Sequence, residues 1–144
     1  MPASFVNKMI RPPRRCVRVV TVDDQAVFRE AAREVIDATE GFEALAEAAS
    51  GADALALMET LRPDLILMDV RMPDMDGIET TRRLRDVQPE PVIVLISLED
   101  PDDVDAVAHD CGAVASVRKQ DFSPAMLRRL WATYGDEGHL IGMR

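Results

Sequence analysis

The sequence predicts one α/β domain: a doubly wound sheet of five parallel strands in the order 2-1-3-4-5, with helices on both faces. Three observations predict it. Short apolar runs alternate with amphipathic stretches along nearly the whole chain. The runs are apolar at successive positions rather than at every second one, as strands covered on both faces must be. The length of 144 residues holds one domain and hardly two. Right-handed crossovers between parallel strands leave few layouts, and this order places an active crevice at the carboxyl ends of strands 1 and 3.

The elements follow in order. Residues 17–22 (VRVVTV) are β-branched and end on two aspartates, which predicts a buried strand. Over residues 25–38, Val27, Phe28, Ala31, Val35 and Ile36 recur at helical spacing, and Gly41 punctuates the end. Residues 42–49 form a weaker, Ala-rich strand. Ser50 caps a helix expected to run to Arg62, ahead of Pro63. Residues 65–68 (LILM) are a strand ending at Asp69, and the turn-rich RMPDMDG leads into a helix over 78–87. Pro91 opens a third apolar run, VIVLI, ending at Ser97. Residues 99–110 are acidic and predict a short helix; residues 114–117 form a last strand before Lys119. Ser123 then caps a final helix to about residue 134. Five strands thus alternate with five helices.

Composition narrows the function. The chain is 47% hydrophobic and 30% charged, enough to bury a core and against a disordered chain. No apolar run is long enough to span a bilayer and no signal-peptide stretch opens the chain, so the expectation is a cytoplasmic protein without membrane contact. Cys16 and Cys111 lie far apart with no metal-ligand spacing, which points away from a disulfide framework or a zinc site. Residues 1–18 hold Lys8, Arg11, Arg14, Arg15 and Arg18 and no acid, so the rest is more acidic than the net −9 of the whole. A body of that charge repels phosphate backbones, and direct nucleic-acid binding is not expected. The expected layout is a basic tail over 1–16, the domain over 17–134, and a tail or linker start over 135–144.

The strand ends carry the chemistry. Strand 1 ends in Asp23 and Asp24, strand 3 in Asp69, strand 4 in Ser97, and strand 5 in Arg118 and Lys119. Any one aspartate after a strand is most simply a turn residue or a helix cap. The joint pattern at four of five strand ends asks for more. Three carboxylates brought together repel unless a cation sits among them, and hard oxygen ligands favour Mg²⁺. An ammonium and a hydroxyl opposite them can hold phosphoryl oxygens. Lysine is also scarce here, two against 15 arginines, and one of the two follows strand 5. The arrangement is a place to put a phosphoryl group onto Asp69.

VVTVDDQAVFRE, LILMDVRMPDMDGIE, VIVLIS and ASVRK together resemble the receiver domain of two-component response regulators. The likeness covers residues 17–134, and DVRMPDMDG is its most specific part. VDDQAVFRE and KQDFSPAML are most similar to the subfamily with a LuxR-type helix-turn-helix output. The resemblance implies a flavodoxin-like (CheY-like) fold and carries roles over by position. Asp69 would accept a phosphoryl group from a phosphohistidine of a sensor histidine kinase or phosphotransfer protein. Asp24, Asp69 and the backbone carbonyl of Arg71 would bind Mg²⁺ directly, and Asp23 would act through water. Ser97 and Lys119 would contact the phosphoryl oxygens. Such a protein is no ordinary enzyme, but it catalyses its own aspartyl phosphorylation and dephosphorylation. Its output would be a downstream protein or a DNA-binding domain outside this chain, and weak self-association through an acidic face is expected.

Three positions depart from the family. Ser116 stands where an aromatic switch residue is usual, so rotation of a ring there cannot be the output signal. Leu98 replaces the usual small residue after the hydroxyl, and Gln120 stands where many members have proline. These departures keep open a second reading, a pseudo-receiver that binds partners without phosphorylation. The full set of Asp23, Asp24, Asp69, Ser97 and Lys119 weighs against it. A haloacid-type phosphatase would need a second aspartate where Arg71 stands, and is set aside. His109 is expected in solvent, Cys111, Met58 and Met68 in the core, and Trp131 on the last helix.

Overall fold

The centre of the sheet is β3 (Leu65–Asp69), whose five residues are all buried. An apolar run of this kind can stand only between two paired neighbours with both faces covered. Those neighbours are β1 (Val17–Val22) and β4 (Val92–Ser97), with β2 (Phe42–Ala48) and β5 (Ala115–Arg118) at the edges. The computed structural model describes residues 16–98 and 108–135. All pairs are parallel in the order β2-β1-β3-β4-β5, as the alternation predicts.

Successive strand residues face opposite sides, and here both sides are core. Val20, Val22, Ile66, Met68, Ile93 and Leu95 face one layer, which includes Met58, Leu84 and Cys111. Val19, Leu65, Leu67, Val94 and Ile96 face the other, with Ile36, Leu127 and Leu130. The helices are α1 (Ala26–Asp37), α2 (Gly51–Leu57), α3 (Gly77–Val87), the helical residues 108–111 (α4), and α5 (Pro124–Leu130). Side-chain oxygens cap three of them: Ser50 accepts from the Asp53 N–H, Asp76 from Glu79, and Ser123 from Met126. Met58, Met68 and Cys111 are buried and His109 is exposed, as expected.

Several boundaries differ from the sequence reading. The helix opened by Ser50 ends at Leu57, not at residue 62. Beyond it the N–H groups of Glu59 and Thr60 turn to the carbonyls three residues back. The freed Met58 and Leu61 carbonyls are taken up by Gln88 Nε2 at 2.6 and 3.0 Å and by Arg62 Nη1. A glutamine thirty residues away, together with Arg62, thus satisfies the carbonyls left where α2 stops, which local periodicity could not show. β5 is shifted by one residue, and Lys119 opens a 3₁₀ turn over Lys119–Asp121. The last helix changes at Trp131 into a π-helical turn, Trp131–Gly135, with the Gly135 backbone against the Trp131 ring. The basic head, most of the acidic stretch 99–110, and the residues from 136 onward lie outside the described residues.

Two glycines show what the turns need. Gly41 has φ +90°, a left-handed conformation with open space around it. Gly77, the first residue of α3, has ordinary backbone but lies against the peptide of Asp69: a Cβ there would fall 2.0 Å from the Asp69 carbonyl oxygen. Gly77 also donates its N–H to the Val70 carbonyl at 2.8 Å. We expect Gly41→Ala to cost ~1–2 kcal/mol, the left-handed penalty alone. Gly77→Ala should cost more, at least ~3 kcal/mol, because backbone must give way to backbone. Urea unfolding of both variants tests this, and equal losses would show that the close approach at Gly77 relaxes freely.

Candidate functional site

The site lies where the sheet changes winding direction, since β1 and β3 are adjacent while their crossovers lead to opposite sides. Val22 pairs with Met68, so the residues that follow, Asp23 and Asp69, leave the sheet side by side. Asp69 pairs in turn with Ile96, and Ser97 with Arg118, which brings Ser97 and Lys119 to the same edge. Parallel strands and register alone assemble four positions from four strands.

Asp23, Asp24 and Asp69 each offer a carboxylate oxygen within 4.8 Å of the others. Asp23 is fully buried and Asp69 nearly so, whereas Asp24 is exposed. Lys119 Nζ stands 2.7 Å from Asp23 Oδ2 and 3.6 Å from Asp69 Oδ1. Its approach to Asp23 Oδ2 is close but off the hydrogen-bond direction, and that buried oxygen receives no other donor. Asp23 Oδ1 accepts from the Gln25 N–H at 2.8 Å, a bond two residues on that fixes the turn leading into α1. Burial, then the nearby Asp23 charge, pushes the Asp69 carboxyl up to about 7, against the opposing pull of Lys119 and the Arg71 N–H. A carboxylate that is costly to ionise, beside a second buried one, marks a site built for a cation or an electrophile.

The opening is a cavity of about 370 Å³ lined by Gln25, Asp69, Arg71, Ser97, Leu98 and Lys119. Leu98 is 68% exposed at its rim, a bulky group at the mouth of the cavity. The structure therefore brings Asp23, Asp24, Asp69, Ser97 and Lys119 to one edge, whereas Arg118 lines neither the cluster nor the cavity. Two features escaped the sequence reading. Arg29 Nη1 donates to the Asp23 carbonyl at 2.7 Å while its Nε lies 3.4 Å from Glu47 on β2. Phe28, read only as part of a helix's apolar face, places its ring 4.8 Å from Lys119 Nζ. Both lie one turn into α1, directly after the Asp-Asp pair; that adjacency was the available signal.

A parallel sheet with three carboxylates, a hydroxyl and an ammonium at its switch point has the chemistry to hold a cation and a phosphoryl group. The family model described as the response regulator receiver domain matches residues 19–130, and the chain belongs to that family. It is a receiver domain of two-component signalling. It is 31% identical to a two-component response regulator of the LuxR family from Aurantimonas sp. SI85-9A1, with TM-score 0.72 over 79% of this chain and 81% of that one. The signal receiver domain of the response regulator NarL from Mycobacterium tuberculosis is 33% identical, with TM-score 0.69 over 76% and 88%. A protein-glutamate methylesterase/protein-glutamine glutaminase 2 of Paramagnetospirillum magneticum (strain ATCC 700264 / AMB-1) is 32% identical over 108 residues, 74% of this chain. The chain spans 31% of that relative's length.

The raised Asp69 carboxyl gives a pH prediction. In the folded protein it ionises near 7, and in the unfolded chain near 3.8. Between those values the folded state holds a proton that the unfolded state has lost, so stability falls as pH rises from about 4 to 7 and is level above. Asp69→Asn removes this loss. Without divalent cations it should be more stable than wild type by a few kcal/mol at pH 8 and nearly equal at pH 4. Chemical unfolding across that range checks it; a constant difference would show that Asp69 ionises normally.

Proposed function

We propose that Asp69 is the phosphoacceptor of this receiver, with a Mg²⁺ ion held by Asp24, Asp69 and the Arg71 carbonyl and by Asp23 through water. The observation that carries the reading is the cluster of Asp23, Asp24 and Asp69, with Lys119 against Asp23 and Asp69, beside a cavity that Asp69 and Lys119 line. The residues fit a hard divalent cation: the donors are all oxygen, and the buried Asp23 Oδ2 lacks a well-aligned hydrogen bond. When bound, Mg²⁺ supplies charge neutralisation to the carboxylates and to the phosphoryl group.

The chain's own groups do the rest. An Asp69 carboxylate oxygen attacks phosphorus, the P–N bond of the phosphohistidine donor breaks, and the imidazole leaves with the bond's electron pair. Ser97 and Lys119 hold the phosphoryl oxygens, and the cavity walls orient the donor. Positioning and charge are what a loose phosphoryl-transfer transition state requires. Leu98 at the rim narrows the approach for the donor and for water alike. The partners of this reading are a sensor histidine kinase or phosphotransfer protein upstream, and a downstream protein or DNA-binding output domain. The setting is the cytoplasm, in keeping with the absence of any membrane-length apolar helix among the described residues.

Mass measurement after incubation with phosphoramidate and Mg²⁺ tests the reading. Wild type should gain one phosphoryl group, the gain should need Mg²⁺, and Asp69→Asn should show none. A wild type that stays unmodified, beside a receiver that is modified under the same conditions, would establish the pseudo-receiver reading instead. Metal binding is separable from transfer. Asp24→Ala should lower Mg²⁺ affinity by at least ~10-fold, about 1.4 kcal/mol, and by more than Asp23→Ala, since only Asp24 contacts the ion directly. Titration calorimetry decides, and the reverse ranking would make Asp23 the direct ligand.

A further inference from the structure

Lys119 carries a flexible four-carbon stem ending in a compact charge, so its place in the site must be imposed from outside. The two carboxylates define one side of it, at 2.7 Å for Asp23 and 3.6 Å for Asp69. On another side the ammonium lies over the ring of Phe28, 4.8 Å from its centroid. An aromatic face attracts a cation within about 6 Å, and more strongly where water is excluded. The Lys119 side chain is only 9% exposed, so that condition is met. Phe28 is itself braced: its ring tilts by 50° against that of Phe122, with centroids 6.2 Å apart. Phe122 in turn donates its N–H to the Lys119 carbonyl at 3.2 Å. The lysine is thus tied at its backbone by one member of the aromatic pair and at its charge by the other.

We propose that Phe28 is a positioning residue for phosphoryl transfer, whose ring seats the Lys119 ammonium between Asp23 and Asp69. This rests on the reading of Asp69 as phosphoacceptor. Packing alone would ask only for an apolar side chain of that size at position 28. A seat for a charge asks for an aromatic face, and that difference is measurable.

The variants are Phe28→Leu, which keeps apolar bulk without the face, and Phe28→Tyr, which keeps the face. With phosphoramidate and Mg²⁺, Phe28→Leu should lower the maximal loading rate about tenfold while Mg²⁺ affinity stays unchanged. Phe28→Tyr should load within about twofold of wild type. A second measurement does not depend on transfer. The chain has two lysines, Lys8 and Lys119, so lysine labelled with ¹³C at Cε gives two resolvable signals. The Hε protons of Lys119 should be shifted upfield by the ring in wild type and Phe28→Tyr, and return to the free-lysine position in Phe28→Leu. If wild type loads and Phe28→Leu loads equally well, or Phe28→Tyr falls as far as Phe28→Leu, the seat is wrong. An unshifted Lys119 in wild type overturns it as well, including where Phe28→Leu fails to fold. A wild type that shows the shift but never loads would instead refute the assignment of Asp69.

Discussion

The crowding of three carboxylates at the junction of β1 and β3 is the constraint around which the site is arranged. Asp23 and Asp69 are buried and Asp24 lies within the same 4.8 Å. Burial first, and then the neighbouring Asp23 charge, make ionisation costly and raise the Asp69 carboxyl to about 7. The single ammonium of Lys119 offsets part of the repulsion but cannot neutralise three carboxylates. The remainder is stored in the fold and is released when positive charge enters. A divalent cation held there would relieve that repulsion, which is the physical basis of the metal binding proposed above.

The surrounding structure exists to hold that strained arrangement still. β1 and β3 run in register, so neither aspartate can move along its strand without breaking a ladder. Gly77 lets the start of α3 come against the Asp69 peptide, and the Asp76 cap satisfies the exposed donors at that helix end. On the other flank, Asp23 is fixed twice, through its Oδ1 by Gln25 and through its carbonyl by Arg29. Arg29 also reaches Glu47 on β2, so the position of Asp23 is tied to the sheet edge as well as to its own strand.

Much of this was legible in the sequence because it depends on periodicity and on strand ends. Apolar runs gave the strands, and the parallel order followed from alternation; the residues after each run then fell on one edge. The parts that stayed hidden depend on contacts distant in the chain. No local pattern shows that Gln88 takes up the carbonyls behind α2, and so the helix was read five residues too long. Nor could helical spacing separate Phe28 from its neighbours, because an apolar residue facing a core and one facing a buried ammonium read alike. The one-residue shift of β5 had the same origin, since pairing with β4 set the register and the apolar run could not.

The departures at Ser116 and Leu98 lie around the charged centre rather than in it. Each changes what approaches or leaves the site: Leu98 narrows the rim, and Ser116 removes a ring from β5. Replacing any of the three carboxylates changes the balance of repulsion in the cluster, and replacing Lys119 leaves the buried Asp23 carboxylate without its counter-charge. In this chain the aromatic contact with the lysine comes from α1, at Phe28, and not from strand 5. Lys119 is consequently held from the same helix that Gln25 and Arg29 anchor to Asp23, so the buried acid and its counter-charge share one support.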